Sequence, residues 1–149
     1  PDEVIQAIAD TGGYVGVCCI PHFLGRTRDI AALLDHIEYI ARRFGPDHVA
    51  IGTDTAYVSS DSAAQMAKVP TRGPAHPIWE SFWPDGTRDD SPPEDRERQR
   101  LSLAWTNWPL FTVGLVQRGF ADDDIQKIIG GNVLRVADAV LQASQNRPT

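Results

Sequence analysis

Apolar residues along this chain fall into two kinds of run: stripes at helical spacing and short continuous blocks. Val4, Ile5 and Ile8 form the first stripe. Pro1 suits a first helical turn, Asp2 and Glu3 favour its positive end, and Gly12-Gly13 would stop it. The block "YVGVCCI" (14–20) is continuously apolar and partly β-branched, the pattern of a buried strand. "PHFLGRTR" (21–28) reads as a loop. Residues 29–45 predict the clearest helix: Asp29 starts it, Ile30, Leu33, Leu34, Ile37 and Ile40 form its stripe, and Arg42-Arg43 precede Gly45. "PDH" then turns the chain into a second block, "VAIGT" (49–53).

Two such strands joined through a helix make a βαβ unit and predict parallel neighbours, hence an α/β fold. From about 58 to 100 the pattern lapses into Pro and charge, with Trp79 and Trp83 embedded in it. A stretch that long without periodicity reads as an irregular insertion, functional or disordered, and its tryptophans argue for partial docking. Helical signals resume over 108–119, 122–131 and 132–144, and no internal repeat is present. Two strands alone leave both sheet edges unpaired. The chain therefore reads as part of a larger α/β domain or as one that needs a partner, and an opening on Pro1 without Met fits that expectation.

Composition narrows the classes. The 149 residues carry a formal charge of −6 with no Lys/Arg run, which argues against a nucleic-acid partner. No apolar run approaches the ~20 residues of a membrane span, and the visible start has no signal-peptide pattern. Cys18 and Cys19 are adjacent, so on a strand they point to opposite faces and lack both disulfide and metal-ligand spacing. They read as buried small hydrophobes, compatible with a reducing compartment and favouring the cytoplasm.

Sites in parallel α/β architectures gather at the carboxyl ends of strands. That rule selects "PHF" (21–23) and "TDT" (53–55), with His22 and Asp54 emerging on one face. Asp54 is conspicuous because a buried-looking run ends on a carboxylate with no adjacent Lys or Arg. It serves either as a cap or turn former or in chemistry. His22 has the same two readings, a satisfied hydrogen bond or a ligand. His36, beside the core position Ile37, reads as structural, and His48 and His76 in loops offer nothing specific. Asp122–Asp124 reads as a helix N-terminus. No His-x-His, His-x-Asp, His-Glu-x-x-His, Gly-x-Ser-x-Gly or Walker loop is present, so no complete metal site or nucleophile motif can be assembled.

Two longer segments carry a resemblance. "LLDHIEYIARRFGPDHVAIGTD" resembles the segment of the membrane (renal) dipeptidases, peptidase family M19 of the amidohydrolase superfamily, that ends in Asp-His-Val-x-Ile-Gly-Ser-Asp. "WPLFTVGLVQRGFADDDIQKIIGGNVLRV" resembles that family's C-terminus, with an Arg-Gly turn, an acidic helix start and Gly-Gly-Asn before Arg-Val. The resemblance implies that residues 1–149 are the C-terminal part of one (β/α)8 TIM barrel, about its last two βα units plus C-terminal helices, interrupted by the insertion at 58–100. It implies a zinc-dependent dipeptidase whose two zinc ions share a bridging hydroxide that attacks a dipeptide amide. Asp54 would be the proton shuttle, and Phe23 with its neighbour His22 would border the substrate. The metal ligands would lie before Pro1, so this chain would contribute none and would be inactive without the rest of the barrel. A homodimer is the assembly that the resemblance suggests. "TDTAY" lacks the second Asp and the Gly usual after the last strand, which leaves open another amide, a lactam or a lactone as substrate. A non-catalytic module that completes another chain's barrel is the remaining alternative.

Overall fold

The structure, a computed structural model, describes residues 1–54, 59–68 and 92–145. The chain divides into two units, Pro1–Thr55 with Pro92–Thr149, and Ala56–Ser91. In the first unit α1 (Asp2–Asp10) leads to β1 (Val15–Val17), the short helix α2 (Pro21–Leu24) and the long helix α3 (Ile30–Phe44). A 3-10 turn (Pro46–His48) enters β2 (Val49–Ile51). The second unit holds α4 (Ser62–Met66). The first unit resumes with α5 (Pro93–Ser102), α6 (Trp108–Gln117), α7 (Asp122–Gln126), a π turn (Lys127–Gly131) and α8 (Asn132–Gln145). The described fold is mostly helical around a two-stranded parallel sheet, as a partial α/β architecture would be.

Helix α3 forms for the reasons its sequence advertises. The Asp29 carboxylate accepts from the backbone N–H of Ala31 and Ala32 at 3.0 and 3.3 Å, which satisfies two donors of the first turn. Gly45 ends the helix at φ +102°, a conformation that L-residues avoid. The stripe between them buries Leu33, Leu34, Ile37 and Ile40. These pack with Val17, Val49 and Ile51 of the sheet and with Leu103, Phe111, Leu115, Ile125 and Ile128 from the C-terminal helices. One core is therefore built from both ends of the chain. A methyl group at Gly114 would collide with the Leu34 side chain, so the bare position lets that side chain pack where α6 lies against α3.

The strands pair in parallel with Val15 opposite Val49 and Val17 opposite Ile51. Both are shorter than the apolar blocks that predict them, yet the pairing runs on in broken form. Gly52 N–H donates to the Val17 carbonyl, and Cys19 N–H to the Thr53 carbonyl, both at 3.0 Å. At the amino end of the sheet a second set of contacts closes the structure. Buried Asn132 donates from Nδ2 to the carbonyls of Pro46 and Val49 at 2.8 and 2.9 Å. Arg135 donates to the carbonyls of Gly12 and Asp47 at 2.6 and 2.7 Å, and His48 Nδ1 to the carbonyl of Gly13 at 2.8 Å.

Two expectations change and a third holds. Residues 21–28 are not all loop, because Pro21 supplies a helical φ and a short helix follows to Leu24. The stretch 58–100 contains helices α4 and α5; α5 has Pro93 at its start, Glu94 and Asp95 in the first turn and Arg100 in the last, and no apolar stripe. The helix expected over 122–131 starts at Asp122 and is broken at Gly130 (φ 171°, ψ −26°), where the glycine pair was expected to end it, before α8 begins at Asn132. His76, Trp79 and Trp83 lie outside the described residues. No helix among the described residues is long and apolar enough to cross a membrane.

Candidate active site

The site is built where the sheet ends. A Cβ on Gly52 would stand 3.2 Å from Gly16 Cα, so the two backbones approach closely just ahead of Asp54. With Cys19 bonded to the Thr53 carbonyl, the residues after β1 and the residue after Thr53 leave the same end of the sheet. Asp54 is exposed there with φ +49°, a left-handed conformation that Asp tolerates better than most residues. His22 and Phe23 stand on α2, their ring centroids 6.2 Å apart, His22 partly buried and Phe23 exposed. The structure thus brings Asp54, His22 and Phe23 to one end of the sheet.

The turn after α2 has an unusual backbone. Gly25, Arg26 and Arg28 have φ values of +62°, +49° and +58°. His36 donates from Nε2 to the Leu24 carbonyl at 2.8 Å, and Gln99 from Nε2 to the Thr27 carbonyl at 3.3 Å. Arg26 pairs with Asp35 at 2.8 Å, and the Thr27 hydroxyl donates to Asp29 at 2.6 Å. Asp35 also accepts from Arg118 at 2.9 Å. Hydrogen bonding from Arg118, against an opposing effect of desolvation and with further help from Arg26, holds the Asp35 carboxyl below the usual carboxylate range.

Other candidates fall elsewhere. His36 is structural, as expected, through its bond to Leu24. His48 serves the opposite end of the sheet. Asp122, Asp123 and Asp124 occupy the first turn of α7. Both cysteines are free thiols; burial, with a smaller contribution from Cys18, pushes Cys19 up to about 11, so it is no nucleophile at neutral pH. Among the described residues no three His, Cys, Asp or Glu side chains gather into a metal site. Among the described residues, two surface grooves that Asp54 does not line lie one over Arg26, Asp35, His36, Glu38 and Tyr39, the other over Lys127–Gly131. The acids of the first are already paired with arginines.

The residues that sequence reasoning passed over are Asn132, Arg135 and Gln99. Gly-Gly-Asn and Arg-Val stood out as motif members, but their work at the strand entrances rests on bonds spanning more than 80 positions. Gln99 carried no signal at all.

An exposed acid at the carboxyl end of parallel strands stands where α/β architectures gather their functional residues. Comparison with known proteins makes the relationship specific. Residues 1–69 match the model of the membrane dipeptidase family, peptidase family M19. The dipeptidase ataJ of Aspergillus terreus is 27% identical over 143 residues, covering 93% of this chain and 26% of that protein. Dipeptidase verJ of Clonostachys rogersoniana is 25% identical, with 97% of this chain and 28% of the relative covered. Dipeptidase aclJ of Aspergillus oryzae is 26% identical, with 91% and 24% covered. The chain spans about a quarter of the length of these curated relatives. No solved structure matches it. These matches bear out the resemblance to the membrane dipeptidases that the motifs carry.

Proposed function

We propose that this chain contributes the carboxyl-terminal βα units of a (β/α)8 barrel in a dipeptidase-like hydrolase, with Asp54 as its proton shuttle. The observation that carries the proposal is the placement of Asp54, an exposed carboxylate held in left-handed backbone where a buried parallel strand ends. In amide hydrolysis the water oxygen bonds to the carbonyl carbon and the C–N bond breaks. Asp54 takes the proton that the water loses and delivers it to the departing nitrogen, which leaves as a neutral amine. Phe23 and His22, at the same end of the sheet, border the substrate. Among the described residues the two-stranded sheet has unpaired edges, which supports the barrel, since further strands would cover them.

The resemblance also implies two zinc ions. The described residues do not form a site for them, so no ligand is assigned from this chain and no step is routed through metal. Zinc would be supplied with ligands by other parts of the barrel, and a dimer of such barrels is part of the same expectation.

A substrate screen of the complete gene product tests the proposal. Dipeptides should be hydrolysed, while tripeptides, lactams and lactones are hydrolysed far more slowly. Lactam or lactone turnover in place of dipeptide turnover would move the assignment to another bond; absence of all hydrolysis would favour a non-catalytic module.

A further inference from the structure

Residues 25–28 are held in a backbone that the chain would not choose by itself. Gly25 accepts a positive φ freely, but Arg26 and Arg28 do not, and such residues persist only where the surroundings over-determine them. The ties lie on both flanks of the strained residues. His36 holds the carbonyl of Leu24, next to Phe23, and Gln99 holds the carbonyl of Thr27. The Arg26–Asp35 pair is largely exposed and holds the turn less firmly.

Gln99 is the more informative of the two. It is buried on α5, and its Oε1 has no partner among the described residues. A leucine would fill that space without stranding an acceptor, so the amide's value there is its N–H bond to Thr27. Three residues on, the Ser102 hydroxyl accepts from Ile30 N–H at 3.3 Å and donates to the Gln99 carbonyl at 2.7 Å. Helix α5 is therefore fastened to the chain leading out of Phe23, although more than 70 positions separate them.

We propose that His36 and Gln99 are positioning residues: they fix the turn after α2 and thereby set where Phe23 meets the substrate. The inference rests on the hydrolase reading above and deepens it toward substrate selection. Neither side chain touches the reacting atoms; both act through the placement of Phe23.

The test uses the complete gene product with His36→Leu and Gln99→Leu, each alone and combined with Phe23→Ala, and His36→Gln as the conservative rescue. Each leucine variant should raise KM for a dipeptide roughly five- to tenfold while kcat stays within about twofold, because uniform binding and not the chemical step is weakened. His36→Gln should recover most of the loss. Added to Phe23→Ala, neither leucine should raise KM further, since the two changes remove one shared interaction. Amide exchange over residues 21–30 should accelerate about tenfold, with the β1–β2 amides unchanged. Unchanged exchange with unchanged KM overturns the proposal, and so does a KM increase that multiplies with that of Phe23→Ala. Should one leucine variant fail to fold, the other carries the same test. If the wild type hydrolyses no dipeptide, the hydrolase reading fails instead, and the exchange data alone decide whether His36 and Gln99 fix the turn.

Discussion

Replacing Asn132 with alanine should destabilise the protein more than any other single truncation at the amino end of the sheet. Asn132 is 1% exposed, and its amide donates to two carbonyls that frame the entrance to β2. Pro46 opens the 3-10 turn and Val49 opens the strand, so one side chain fixes both ends of that turn. Truncation leaves the buried Val49 carbonyl and the partly buried Pro46 carbonyl without this donor. Stranding a buried acceptor costs ~1–3 kcal/mol, and a carbonyl with a second lone pair belongs near the low end. The space left by the amide adds about 1 kcal/mol through lost packing. The total is about 3 kcal/mol, on the order of a hundredfold in the folding equilibrium. Urea titration of the complete gene product, read by tryptophan fluorescence, should show a lower midpoint at unchanged slope. Asn132→Asp should be worse than alanine, because a carboxylate of the same shape turns oxygen toward both carbonyls. Both variants falling within about 0.5 kcal/mol of wild type, the range of neutral surface changes, would refute this account of the contact.

Gly114→Ala should lower stability by about 1–3 kcal/mol, since the added methyl meets the buried Leu34 side chain where α6 crosses α3. An unchanged melting temperature would mean that the Leu34 side chain shifts aside at no cost. Asp35 gives a pH signature whose sign follows from its depressed folded-state pKa. Its contribution should be complete above the ordinary carboxylate range and vanish as pH falls through the lowered value. The stability gap between wild type and Asp35→Asn should therefore be widest near neutrality and close in acid; a gap that widens as pH falls would reverse the assignment.

Helix α3 was legible because its cap, stripe and terminal glycine are local features, and each stands where the pattern placed it. The strands were legible as buried blocks but not in length. Apolarity reports burial, whereas a ladder exists only where a neighbour pairs, and here that is Val15–Val17 against Val49–Ile51. Helix α2 escaped notice because four residues carry no period, and α5 because it lacks an apolar stripe despite a well-ordered charge gradient. Around the site, the carboxyl-end rule was enough to put Asp54 and His22 at one end of the sheet. The ties that hold the turn beside them could not be read. Gln99 and Thr27 are 72 positions apart, and neither announces the other. The same distance problem hid the work of Asn132 and Arg135, whose motif was visible while its target was not.

Asp54→Asn in the complete gene product tests the central claim most directly. The carboxamide keeps the size of the side chain and removes its ability to take a proton. Turnover of dipeptides should fall about 10²–10⁴-fold, the usual contribution of a positioned general base, while metal content and melting temperature stay near wild type. Wild-type turnover in that variant would contradict the claim and leave Asp54 as a residue that only shapes the turn after β2.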